Sequence, residues 1–118
     1  MTITELVKKA FEAAQNAGWH SDRTTGEPIQ RNKAEMICLM HSELSEAMEG
    51  ERKNLMDDHL PHRRMAEVEF ADAVIRIGDY CGMMGYDLEG AVIEKMAYNR
   101  TRADHQLANR AKEGGKAF

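Results

Sequence analysis

The strongest constraint on this chain is a carboxylate where a greasy side chain belongs. Around Glu43, in Leu39-Met40-His41-Ser42-Glu43-Leu44-Ser45-Glu46-Ala47-Met48, apolar residues recur at helical spacing. At about 100° per residue, Met36, Leu39, Met40, Ala47 and Gly50 all fall within about 60° of Glu43. Glu43 therefore sits in the middle of the apolar stripe of its helix. An unpaired buried carboxylate costs several kcal/mol or takes up a proton. Such a helix needs a fold that brings positive charge to that stripe.

A second acidic pair, Glu69 and Asp72 in Glu67-Val68-Glu69-Phe70-Ala71-Asp72, repeats the i, i+3 spacing of Glu43 and Glu46. Acid cannot neutralise acid, but a divalent cation shared by the two pairs can satisfy both. Glu49 has the same spacing from Glu46 and faces away from the stripe.

The remaining pattern predicts an all-α chain. Helix 1 is expected from Thr2, with Glu5 completing a capping box, to a stop at Gly18. Trp19 to Arg31 is a loop broken by Gly26 and Pro28. Helix 2 is expected from Asn32, with Glu35 three residues on, to about Lys53. Helix 3 is expected from Pro61 to about Met84, ending at Gly85. Its apolar residues wrap most of its circumference, which implies burial among several neighbours. Helix 4 follows the cap Asp87 and runs towards Arg110, with Gly114-Gly115 marking a frayed tail. No segment alternates like a strand.

The chain of 118 residues fits one domain, residues 1–118, four main helices in a bundle. Small helical cores of this kind are commonly completed by homo-oligomerisation. A net charge of -4 with 6% aromatic residues advertises no surface for a nucleic acid polymer. No run of about 18 apolar residues suggests a membrane span. The polar start Met1-Thr2-Ile3-Thr4-Glu5 is unlike a secretion signal, and Cys38 and Cys81 lie within helical patterns. A cytoplasmic protein is the expectation.

Further residues carry candidate chemistry. Lys95, Asn99 and Arg102 share a helical face with Leu88, Ala91 and Val92, an inward face able to meet the carboxylates or an anionic ligand. Arg76 can pair with Asp72 at i, i+4 or contact a phosphate. Trp19, followed by His20, either packs onto the core or walls a base-binding pocket. His59 and His62 lack the partners of a zinc site and read as solvated. No Glu-x-x-His motif occurs, which excludes a di-iron carboxylate bundle.

The run Ile37 to Ala47, then Glu69-Phe70-Ala71-Asp72, then Lys95-Met96-Ala97-Tyr98-Asn99-Arg100-Thr101-Arg102 resembles the MazG-like all-α nucleotide pyrophosphohydrolases. Their marks are an E-x-x-E pair, an E-x-x-D pair and a helix with lysine, asparagine and arginine a turn apart. Twenty-two residues separate Glu46 from Glu69 here, and the resemblance covers roughly residues 3 to 105. Even Gly18-Trp19-His20 is similar to small members of the family. The resemblance implies a homodimer or a dimer of dimers that hydrolyses nucleoside triphosphates to monophosphate and pyrophosphate with Mg²⁺. It implies Glu43, Glu46, Glu69 and Asp72 as magnesium ligands, and Lys95, Asn99 and Arg102 as phosphate contacts. Trp19 and His20 stand where some members contact the base, and Glu46 is the candidate general base. The rival reading is a non-catalytic helical interaction module whose acids are neutralised by Arg76, Lys95 and Arg102.

Overall fold

A computed structural model describes residues 1–118, residue 103 through its backbone alone. Every regular element among the described residues is helical, so the chain is all-α. It divides into two compact units, Met1–Tyr86 and Asp87–Phe118, where the sequence suggests one domain over residues 1–118.

In the first unit, α1 (Ile3–Asn16) begins at Thr2, whose Oγ1 accepts from the Glu5 N–H at 3.0 Å. α2 (Lys33–Lys53) begins at Asn32, whose Oδ1 accepts from the Glu35 N–H at 2.9 Å. Each cap satisfies a backbone donor that the first turn would otherwise leave orphaned. α2 ends at Asn54 in the left-handed region (φ 51°), and Arg64 Nη1 donates to the Asn54 Oδ1 at 2.5 Å. α3 (Met65–Met84) ends at Gly85, whose φ of 68° suits a residue without a Cβ.

α3 starts at Met65 rather than at Pro61. The intervening residues close a loop of their own. The Asp57 Oδ2 accepts from the His59 and Leu60 N–H groups at 2.9 and 2.8 Å, and the Asp57 N–H donates to the Arg63 carbonyl. Met56 and Arg64 form an antiparallel bridge, and the Met65 N–H donates to the Leu55 carbonyl. These bonds claim the backbone groups that an earlier helix start would need. His59 and His62 are exposed, as expected of solvated loop residues.

α1 and α2 both pack on α3. The core is made of small side chains: Ala10, Ala47, Ala66, Ala73 and Cys81, with Met36 the largest. A Cβ built on Gly82 would run into the Phe11 side chain, and one on Gly50 would lie 2.9 Å from the Met65 Cβ. The helices are that close because these glycines carry no side chain, and a Cβ on Gly78 would likewise lie 3.1 Å from the Ala10 Cβ.

The expectation that α3 is covered on nearly all sides fails. Phe70 is 52% exposed, and Val74 and Ile75 are also exposed. α3 buries a stripe, not its circumference, because α1 and α2 cover only part of it. On α2, Leu44 and Met48 are likewise exposed.

The loop from Trp19 to Arg31 is held from within. Asp22 accepts from the Thr24 and Thr25 N–H groups at 2.8 Å, and its carboxyl is lowered by the Thr25 and Thr24 amides. Ser21 and Pro28 form an antiparallel bridge, and the Ile29 N–H donates to the His20 carbonyl.

In the second unit, α4 (Leu88–Thr101) starts at Asp87, whose Oδ1 accepts from the Gly90 N–H at 2.9 Å. It stops at Thr101 rather than running towards Arg110. Arg102 is extended, with Nε and Nη2 on the two Asp104 oxygens at 3.1 and 2.8 Å. This fork-to-fork pair holds the Asp104 carboxyl down at about 2, chiefly through the Arg102 hydrogen bonds. A 3₁₀ turn over 103–105 and α5 (Leu107–Arg110) follow. The tail expected to fray is tied back: Arg110 donates to the Lys116 and Ala117 carbonyls, and the Lys116 ammonium pairs with Asp104.

Candidate functional site

Periodicity put Glu43 in the apolar stripe of α2, and there it is. Met36, Glu43, Ala47 and Gly50 are the buried residues of that helix. On α3, Glu69 is buried too, and Asp72 is half-buried. Carboxylate oxygens of Glu43, Glu69 and Asp72 lie within 4.8 Å of one another. Glu46 is exposed and stands outside this trio, yet it is near enough to share a hydrogen bond with Glu69.

One cation answers these four acids within the first unit. The Arg76 Nε donates to the Glu43 Oε1 at 2.7 Å. The sequence offered Arg76 a partner on its own helix, Asp72; it reaches across to α2 instead. Four carboxylates against one guanidinium leave three charges unbalanced. At 4.8 Å and an effective dielectric of about 20, each like-charged pair costs about 3 kcal/mol. The consequence is visible in the titration. The Glu69 carboxyl is pushed up from 4.5 to about 7, first by burial and then by Glu43 and Glu46. Asp72 is raised as well, by burial and by Glu43, with Arg76 opposing and Asp57 adding to the rise. Burial first, and then the neighbouring carboxylates, favour the protonated form in this cluster.

A cavity of about 550 Å³ opens beside this cluster. Glu43, Asp72 and Arg76 line one part of it, and Trp19, Arg31 and Asp79 another. Its floor is the alanine face of α1 and its C-cap, Ala10, Ala13, Ala14 and Ala17, spaced i, i+3, i+4, i+7. Trp19 is 64% exposed rather than packed onto the core. The Arg31 guanidinium carbon lies 5.7 Å from the centre of its ring, within cation–π range.

His20 does not reach for a ligand. It is buried, its Nε2 is 2.6 Å from the Asp79 Oδ1, and its ring meets Phe11 edge-on at 5.0 Å. Arg31, Asp57 and Asp79 escaped the sequence reading. Asp79 had a legible signal, since it stands seven positions after Asp72 and so on the same face of α3.

Lys95, Asn99 and Arg102 belong to the second unit. No residue of α4 is buried, and Lys95 is exposed. The Lys95 ammonium and the Arg102 guanidinium lie 4.8 and 5.8 Å from the centre of the Tyr98 ring. The Asn99 Oδ1 is buried without a hydrogen-bond partner.

No helix among the described residues is long and apolar enough to cross a membrane. No protein-family model, curated protein or solved structure matches the chain.

Proposed function

We propose that the chain is a nucleoside triphosphate pyrophosphohydrolase that works with Mg²⁺. The single observation that carries this reading is the close trio of buried Glu43 and Glu69 with half-buried Asp72, three charges in excess of its one arginine when Glu46 is counted. The donor set suits a hard divalent cation: it is all oxygen, and burial together with Glu43 and Glu46 pushes the Glu69 carboxyl up to about 7. Glu43, Glu69 and Asp72 would hold the ion, with Glu46 beside them. When bound, such an ion polarises phosphoryl oxygens and acidifies water.

The chain's own groups supply the rest. Arg76, half-buried at the edge of the cavity, can exchange one carboxylate for a phosphate oxygen of the same geometry. Glu46, exposed beside Glu69, is the proposed acceptor of the proton of the attacking water. The water oxygen bonds to the α-phosphorus, the bond from that phosphorus to the bridging oxygen breaks, and pyrophosphate leaves. Trp19 offers an open flat wall on which a base can stack. Lys95, Asn99 and Arg102 are proposed phosphate contacts by resemblance to the MazG-like family. The exposed apolar faces of α2 and α3 support the further proposal of a homodimer or dimer of dimers.

The rival reading, a non-catalytic interaction module, draws on the Arg76–Glu43 pair, which neutralises part of the cluster without any ion. A panel of ribo- and deoxyribonucleoside triphosphates with Mg²⁺ separates the two. The enzyme releases monophosphate and pyrophosphate, whereas release of inorganic phosphate alone, or no turnover at all, rejects it. A module also predicts no rise in melting temperature with millimolar Mg²⁺.

A further inference from the structure

α3 carries one more buried acid on its functional face. Asp79 is 7% exposed, and both its oxygens are engaged. Oδ1 meets the His20 Nε2 at 2.6 Å, and Oδ2 lies 3.5 Å from the Arg31 Nη1. These two partners stand at opposite ends of the loop that follows α1. His20 is its second residue, seated edge-on against Phe11. Arg31 is its last before the Asn32 cap, and its guanidinium lies over the Trp19 ring. A single carboxylate on α3 thus clamps both ends of one loop. Three members of this arrangement, Trp19, Arg31 and Asp79, line the cavity.

The chemistry of the clamp is asymmetric. Arginine carries only donors, so a carboxylate is its natural anchor. An asparagine of the same shape keeps an acceptor for His20 but surrenders the negative charge that draws Arg31 in. Freed from Asp79, the guanidinium no longer has a fixed place over Trp19, and the indole, already largely in solvent, loses its neighbour. The hydrogen bonds and ion pairs of this clamp run among His20, Arg31 and Asp79, whereas Arg76 serves Glu43.

We propose that Asp79 is a positioning residue that fixes the Trp19–Arg31 wall of the cavity and thereby sets how tightly the ring end of a nucleotide is held. It leaves the hydrolytic step to the other carboxylates. The nucleotide part of this proposal rests on the pyrophosphohydrolase reading; the clamp itself does not.

Trp19 is the only tryptophan in the chain, so fluorescence excited beyond the tyrosine absorption band reports this wall alone. The variants are Asp79→Asn and Arg31→Gln, the second severing the same pair from the loop side should the first fail to fold. Steady-state anisotropy of Trp19 in the ligand-free protein is expected to fall in both. With a triphosphate that the wild type hydrolyses, KM is expected to rise about tenfold while kcat stays within about twofold. A simple structural staple gives a different result: a lower melting temperature, with Trp19 anisotropy and KM unchanged in the folded variants. That result overturns the proposal. If the wild type hydrolyses no nucleotide, the reading of the function fails, and the anisotropy still decides the role of Asp79.

Discussion

Glu69 offers the sharpest test of the charge imbalance at the carboxylate cluster. Its carboxyl titrates near 7 in the folded chain against an ordinary value of 4.5. Between those values the native state keeps a proton that the unfolded chain has lost. Stability without a divalent ion therefore falls as pH rises through this window; the penalty is absent below about 4.5 and complete above about 7. At about 1.4 kcal/mol per pH unit, an interval from 4.5 to about 7 is worth at most about 3 kcal/mol. For a chain of this size that is roughly 10 °C in melting temperature. Glu69→Gln replaces the charge with a neutral isostere. In EDTA, the variant is expected to melt with the wild type near pH 4.5 and above it at pH 8. Adding millimolar Mg²⁺ at pH 8 should then raise the wild type and leave the variant nearly unmoved. Calorimetry at the two pH values reads both effects. A variant less stable than wild type at pH 8 in EDTA would refute the reasoning, because the carboxylate would then be stabilising the fold unaided.

Three further expectations follow from other parts of the molecule. Gly82→Ala should lower stability by about 1–3 kcal/mol in urea unfolding, since the new Cβ meets the Phe11 Cβ and ring, which outweighs a helix-propensity gain of about 1 kcal/mol. A more stable variant would mean that α1 and α3 are not so close. Phe70→Glu with Val74→Glu, both exposed and one turn apart on α3, should leave helicity intact and convert a sedimenting dimer or larger species to monomer. A wild type that sediments as a monomer removes the oligomer proposal. Because Arg31 presents only donors at the cavity, guanosine and uridine monophosphates, which bear ring carbonyls, should quench Trp19 at lower concentration than adenosine monophosphate. Equal quenching by all three sinks that preference.

Much of the fold was legible because its signals are local. Thr2, Asn32 and Asp87 cap the next turn by their own side chains, and Gly85 terminates α3 within one residue of its place in the pattern. Burial of Glu43 followed from the phase of its helix alone. The misses share a different origin. The start of α3 depends on Met65 bonding back to Leu55, and the end of α4 on Arg102 finding Asp104. Both are competitions between a helix and a neighbour that periodicity cannot see. Of the two readings open for Trp19, packing on the core fails, since the indole is 64% exposed beside a cavity that α1 lines with alanines. The face of Asp79 was legible from Asp72, but its pairing was not, because its partner His20 is 59 positions away in the chain.

The self-closed loop between α2 and α3 separates two distances that are easily confused. Because Leu55, Met56 and Asp57 are fastened directly to Met65, Arg64 and Arg63, the two helices are joined at the neck, and the tip around Pro61 and His62 merely hangs from it. Chain added or removed at that tip should leave Glu43, Glu69 and Asp72 facing one another as before. The count of residues between the two acidic pairs is thus a poor guide to kinship. A search for relatives should let that spacing float and hold fixed the neck on either side.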